Sequence, residues 1–193
     1  SIKIPQGCRY IASNAFCKHG ASETTSTVSH IIWNDSIEYI GYNAFGSTPL
    51  QLSSIPNSIK TLESGALYVS SQTFTFPENL IGDGGGVRMS GVETVYWNAV
   101  NFKNDYIYTT NTYSYRGLGG NRGYVPNSYN SSYDVYDYDN EIKKVIFGSK
   151  VKVIPAYLCA YLDGLNEVII PDNVELIGTS AFIDCRNLTT VTI

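Results

Sequence analysis

The sequence predicts a solenoid in which short parallel strands alternate with tight turns or 3-10 segments, one coil stacked on the next. Two repeating patterns carry this prediction: a triplet of mostly apolar residues that recurs about every 22 residues, and a turn-like signature that follows most of the triplets. The composition agrees with a packed fold, because 43% of the 193 residues are hydrophobic and only 16% are charged. Such a chain buries enough apolar surface to exclude intrinsic disorder.

In the triplet, the second member follows the first by three residues and the third follows the second by two. Seven copies are present: Val28/Ile31/Trp33, Leu50/Ser53/Ile55, Ser71/Phe74/Phe76, Val92/Val95/Trp97, Ile142/Val145/Phe147, Leu165/Val168/Ile170 and Leu188/Val191/Ile193. Ile2 and Ile4 form the end of an eighth copy. Alternation such as Val168-x-Ile170 predicts a short strand with one buried face, and a proline directly after it ends the strand.

The second pattern, V-x-x-I-G-x-x-A-F, is found as IPQGCRYIASNAF from Ile4, WNDSIEYIGYNAF from Trp33, IPNSIKTLESGAL from Ile55 and IPDNVELIGTSAF from Ile170. Its I-G-x-x-A-F part is too short for a stable helix, so we expect one tight turn whose Ile and Phe point inward. Stacking predicts two buried columns: Ile11, Ile40, Leu62, Ile154 and Ile177 in one, and Phe16, Phe45, Leu67, Cys159 and Phe182 in the other.

These residues resemble a known family. LNEVIIPDNVELIGTSAFIDCRNLTTVTI, from Leu165 to the end, is similar to the BspA-like leucine-rich repeat of cell-surface proteins. The resemblance implies a single leucine-rich-repeat solenoid over residues 1–193, an α/β superhelix of mainly short parallel strands. It also implies a location outside the cell or on its surface, binding to host proteins or other cells, and neither catalytic residues nor a cofactor. A segment at residues 103–140 has no counterpart in the repeat and is expected to be an insertion within the solenoid.

The insertion contains nine of the sixteen tyrosines, interleaved with Asn, Ser, Gly and Asp. Tyrosine offers a large amphipathic contact surface and the small polar residues supply adaptable hydrogen bonds, so this composition is typical of a recognition loop. Tyr113, Tyr115, Tyr133 and Tyr136 are therefore candidate ligand-binding residues. The alternative is a hairpin-like flap whose tyrosines pack on the neighbouring coils.

The strand positions that point away from the core form a second candidate site. Ile32, Thr75, Tyr96, Ile146 and Ile169 occupy the place between the last two members of their triplets. Three isoleucines and a tyrosine on a face open to water exceed what solubility requires, and solenoids commonly bind ligands on such faces. The alternative is that β-branched residues merely suit strands, or that the insertion covers this face.

Other chemistries find little support. Asp134, Asp137, Asp139 and Glu141 do not have the spacing of an EF-hand, and we interpret them as a solvated loop, so no metal site is predicted. GDGGG from Gly82 and RGLGGNRG from Arg116 lack the end of a phosphate loop and are expected to be flexible. Cys8 and Cys159 are interpreted as small buried apolar residues, and all four cysteines as reduced thiols. Cys17 and His19 lack an orienting carboxylate for nucleophilic catalysis.

The net charge of −4 and a pI near 5.1 exclude nucleic acid as an expected partner. No apolar run approaches the roughly 20 residues that cross a bilayer. We expect a non-enzymatic module that binds a host or matrix protein through the strand face and the tyrosine-rich insertion. The alternative function is carbohydrate binding through exposed aromatic rings. The sequence starts and stops within strand-like triplets, so end-to-end association of the chain is a further expectation.

Overall fold

A computed structural model describes residues 1–17, 29–81, 86–102, 107–109, 112–118, 120–124 and 141–193. This part of the chain is built from short β-strands and turns and contains no α-helix. The strands are β1 (Ile2–Lys3), β2 (Tyr10–Ile11), β3 (Ile31–Ile32), β4 (Tyr39–Ile40), β5 (Phe45–Leu50), β6 (Thr61–Leu62), β7 (Leu67–Ser70), β8 (Thr73–Phe76), β9 (Val87–Ser90), β10 (Thr94–Trp97), β11 (Ile107–Thr109), β12 (Thr112–Gly117), β13 (Gly120–Tyr124), β14 (Lys144–Phe147), β15 (Val153–Ile154), β16 (Glu167–Ile169), β17 (Leu176–Ile177) and β18 (Thr190–Thr192).

The triplet strands form the main sheet, which is parallel and has the order β18-β16-β14-β10-β8. Its register places Val95 opposite both Phe74 and Val145, and Val168 opposite Val145, and these four side chains are completely buried. An isolated bridge joins Ser54 to the edge strand β8, and β1 pairs with β3 in a ladder of its own. The predicted stacked strands are therefore confirmed, with consecutive triplets lying side by side.

The first predicted column is also formed, but in two pieces. Ile11 pairs with Ile40, and Ile40 with Leu62, in the parallel ladder β2-β4-β6. Ile154 pairs with Ile177 in a second ladder, β15-β17. Ile177 is 47% exposed, whereas Ile154 on the partner strand is completely buried.

The predicted tight turn is present in the middle coils too, at residues 42–44 and 64–65, and the chain leaves it in an extended conformation. There the chain continues as β5, β7 and β9, which form a third parallel ladder in the order β5-β7-β9. Alternating residues of β7 and β9 are buried, so the extended backbone places apolar side chains inward while it pairs with the neighbouring coils. Phe45 stays inside as expected and stacks on Phe16, with 4.8 Å between ring centroids.

The glycine string from Arg116, for which we expect flexibility, contains the ends of two paired strands. The string begins in β12 and ends in β13, two strands that pair within an antiparallel sheet β11-β12-β13. Leu118 lies at the tip, is 1% exposed, and its amide donates to the carbonyl of Leu158 at 2.7 Å. The same backbone hydrogen bond joins Phe45 to Ala66 and Cys159 to Ala181 in regular coils. Leu118 therefore takes the Phe position of the coil that begins with β10 and is interrupted by the insertion.

Charged side chains outside the strands also form a ladder between coils. The carboxylate of Glu38 accepts from the Arg9 guanidinium at 2.7 Å and from the Lys60 ammonium at 3.2 Å, so three successive coils are joined. The hydrogen bond from Arg9, followed by that from Lys60, lowers the pKa of Glu38. Folding therefore favours the ionised carboxylate at this position.

A pH-dependent contribution to stability follows from this shift. Because the pKa of Glu38 is lower in the folded chain, its stabilising effect is complete above the unfolded pKa of about 4.5 and is lost as the pH falls through the folded value. We expect Glu38→Gln to be less stable than the wild type at pH 7, and the difference to shrink towards zero near pH 2.5. Urea unfolding followed by circular dichroism at both pH values tests this. A difference that stays constant would show that the carboxylate charge makes no contribution.

Candidate functional site

The outer face of the main sheet carries two rows of side chains that run across the strands. Because alternate residues of a strand point to opposite faces, the neighbours of the buried residues point outward. One row contains Thr75, Tyr96, Ile146, Ile169 and Thr192, and the other contains Thr73, Thr94, Lys144, Glu167 and Thr190. The register thus brings four of the predicted site residues, Thr75, Tyr96, Ile146 and Ile169, into one continuous line.

The first row is amphipathic in its centre. Tyr96 is 39% exposed, and Ile146 and Ile169, on the next two strands, are partly exposed. Adjacent strands are about 4.8 Å apart, so the three side chains span roughly 10 Å of surface. Thr75 at the edge of this group adds a hydroxyl. A line of this kind offers an apolar contact with hydrogen-bonding groups next to it.

The second row supplies a polar border to this line. Lys144 and Glu167 lie on adjacent strands, and their ammonium and carboxylate groups are 2.7 Å apart. Each of these side chains is about one-third exposed, so the pair remains accessible to a partner. At the end of the strands, Lys143 pairs with Glu93 at 2.6 Å. Charged groups that pair with each other beside an apolar line are typical of the rim of a protein interface.

Ile32 does not join the line formed by the other four candidates. It lies on β3, 53% exposed, and its strand pairs with β1 instead of with the main sheet. Ser54, which forms the isolated bridge to Thr75, belongs to the coil between β3 and β8 in the sequence. The sequence placed Ile32 in the equivalent position of its triplet, and the structure keeps it on an outward face, but in another ladder.

The tyrosine candidates of the insertion are only partly within the described residues. Tyr113 and Tyr115 lie on β12, where Tyr113 is opposite Tyr108 on one side and Tyr124 on the other in the strand register. Tyr133 and Tyr136 lie outside the described residues. Backbone pairing thus collects Tyr108, Tyr113 and Tyr124 at one level of the small antiparallel sheet.

The cysteines, the acidic residues and His19 are the remaining candidates for chemistry in the sequence. Cys159 is buried, and this burial raises the pKa of its thiol well above the usual range, in agreement with its interpretation as an apolar residue. Cys8 is only half-buried, and the four cysteines are free thiols. Glu141 accepts a hydrogen bond from the amide of Gly91, whereas Asp134, Asp137, Asp139 and His19 lie outside the described residues. The described residues contain no group of three or more His, Cys, Asp or Glu that could hold a metal ion.

Sequence reasoning missed one aromatic surface. Tyr10 and Tyr39 directly precede the buried Ile11 and Ile40, so on the same strands they point outward, and their ring centroids are 6.0 Å apart. Tyr10 is 62% exposed. The signal was present as the repeated dipeptide Tyr-Ile, in which an aromatic residue alternates with a column residue.

Comparison with known proteins agrees with this architecture. The chain matches the BspA type Leucine rich repeat region in 6 copies, over residues 1–85 and 97–193. No curated protein and no solved structure gave a significant match. Within the described residues, no helix has the length and apolar character needed to cross a membrane. The match includes the segment from Leu165 whose resemblance was noted in the sequence. The chain therefore belongs to the BspA-type leucine-rich repeat family.

Proposed function

We propose that this chain is a non-enzymatic binding module of a cell-surface or secreted protein. In this proposal it recognises a host or matrix protein through the outer face of the main sheet and the tyrosine-rich insertion. The family supports this proposal, because it consists of repeat proteins suited to protein interaction and is generally surface-associated. The insertion contributes tyrosines beside a solenoid that is held rigid by its parallel ladders.

The observation that carries the proposal is the line of Tyr96, Ile146 and Ile169 on adjacent strands. Their positions are fixed by the backbone register, so a partner that covers them orders little additional chain. Aromatic and aliphatic anchors with a polar rim are the arrangement that concentrates binding energy in protein interfaces. Lys144 and Glu167 supply that rim on one side.

The experiment measures binding of the full chain to immobilised fibronectin, laminin, fibrinogen and collagen by surface plasmon resonance. The test variant is Tyr96→Thr combined with Ile146→Thr, because threonine already occupies this row at Thr75 and Thr192. We expect at least one matrix protein to bind, and the double variant to weaken that binding tenfold or more, as loss of an interface anchor does.

A matched control is Tyr10→Thr, which makes the same exchange on another ladder and is expected to leave the affinity unchanged. Circular dichroism confirms that both variants are folded. Equal affinity of the wild type and the double variant would contradict the assignment of this face. Absence of binding to the whole panel would contradict the proposed partner class.

A further inference from the structure

The outer face of β2, β4 and β6 carries a second row of aligned side chains. Tyr10, Tyr39 and Thr61 are opposite one another in the strand register. The rings of Tyr10 and Tyr39, here called the tyrosine platform, come from successive coils, and their planes are inclined at 47°. Tyr42, on the turn that follows β4, is 51% exposed. Aromatic surface is thus displayed on a side of the solenoid that the main sheet does not reach.

The charged groups around the tyrosine platform neutralise one another. On one side, Glu38 pairs with Arg9 and Lys60. On the other side, the carboxylate of Glu63 accepts from the amide of Tyr42 at 2.7 Å and from the hydroxyl of Ser13 at 3.5 Å. The formal charges of these four groups, two cations and two carboxylates, sum to zero. A surface with this balance attracts no charged partner from a distance and complements an uncharged, hydrogen-bonding one.

The tyrosine platform is also held in place before any ligand arrives. The hydroxyl of Tyr39 donates to the Glu63 carboxylate, and this hydrogen bond, more than burial, raises the pKa of Tyr39. The Arg9 guanidinium lies 5.8 Å from the centroid of the Tyr10 ring. Because both rings stand on paired strands, binding costs little side-chain or backbone entropy.

We propose that the tyrosine platform, with Arg9, Glu38 and Glu63 around it, is a binding site for an uncharged oligosaccharide. Exposed aromatic rings provide apolar faces against which the C–H faces of sugar rings pack. The guanidinium donates hydrogen bonds to sugar hydroxyls, and the carboxylates accept hydrogen bonds from them. The two rings belong to adjacent coils, so a chain of at least two sugar units contacts both. This site is separate from the proposed protein-binding face and does not depend on it.

Single-stranded nucleic acid also stacks on tyrosine rings, and it needs a positively charged groove along its backbone. The neutral balance around this surface and the net charge of −4 favour the sugar. The two partners differ in their salt dependence, since binding of a polyanion weakens steeply as salt rises. Salt dependence is therefore part of the test.

The experiment screens the full chain on an array of uncharged glucose, mannose, galactose, xylose and N-acetylglucosamine oligomers of two to six units. The affinity for the best oligomer is then measured by isothermal titration calorimetry. Tyr10→Thr and Tyr39→Thr are the test variants, because Thr61 occupies the same row in the next coil and shows that threonine fits this strand position. We expect each variant to weaken binding at least tenfold, and salt between 50 and 500 mM to change the affinity less than twofold.

Two control variants show whether sugar binding depends on the aromatic rings of the tyrosine platform. Tyr10→Phe keeps the aromatic face and is expected to retain binding within about threefold, and Tyr96→Thr on the main sheet is expected to have no effect. Absence of any hit on the array, unchanged affinity of both threonine variants, or a steep loss of affinity with salt would each overturn the proposal. Loss of matrix-protein binding in the Tyr96 variant with intact sugar binding would leave this site standing.

Discussion

Replacement of Trp97 by alanine is expected to lower the free energy of unfolding by about 3–5 kcal/mol, the cost of truncating a fully buried large aromatic residue. Trp97 ends the strand β10 and is completely buried. Its ring lies 4.9 Å, centroid to centroid, from Phe76 of the preceding coil and also 4.9 Å from Phe102, where the insertion begins. The variant therefore leaves a cavity between the rings of Phe76 and Phe102.

Trp97→Phe is the matched control. The indole N–H of Trp97 has no hydrogen-bond partner among the described residues, so phenylalanine removes volume without breaking a hydrogen bond there. We expect a loss less than half that of the alanine variant. Urea unfolding followed by far-ultraviolet circular dichroism measures both changes, since fluorescence would lose one of the two tryptophans. A loss below about 1 kcal/mol for the alanine variant would contradict the packing of this coil.

The second large effect is expected at the tip of the insertion hairpin. Leu118→Ala should cost about 2–5 kcal/mol, because Leu118 is buried in the position that a phenylalanine fills in regular coils. Leu118→Ile conserves volume and should cost less than about 1.5 kcal/mol. Denaturant unfolding gives these values, and hydrogen exchange of the Leu118 amide reports whether its bond to Leu158 persists.

Hydrogen exchange of the Leu118 amide distinguishes a hairpin tip that is part of the core from a loop exposed to solvent. In the wild type the Leu118 amide should exchange slowly, and in the alanine variant it should exchange much faster as the hairpin leaves the solenoid. A change in stability within 0.5 kcal/mol, together with rapid exchange already in the wild type, would contradict the role of Leu118 as a core residue.

Much of the solenoid could be predicted from the sequence, because each coil repeats its own local pattern. Alternation within a triplet decides which residues face inward, and the period of about 22 residues decides which residues become neighbours. For that reason the sequence correctly predicts the pairs Ile146–Ile169 and Ile154–Ile177. The line of Thr75, Tyr96, Ile146 and Ile169 follows from the same arithmetic.

The features that the sequence did not predict depend on contacts across the stack. The strands β5, β7 and β9, which form a ladder beyond the turns of the middle coils, are extended because β7 pairs with β5 on one side and with β9 on the other. Leu118 lies within a glycine-rich string. Its burial depends on the Phe position that the interrupted coil leaves open next to Leu158, a residue 40 positions later in the sequence. Tyr10 and Tyr39 form a pair only because their coils stack in register.

The most direct test of the stacked-coil account is solution NMR of the chain with selectively labelled isoleucine methyl groups. Partners in a parallel ladder lie about 4.8 Å apart, so their methyl groups give nuclear Overhauser cross-peaks. We predict cross-peaks between Ile146 and Ile169 and between Ile154 and Ile177, pairs that are 23 residues apart in the sequence. A folded chain in which both pairs lack cross-peaks would contradict the account.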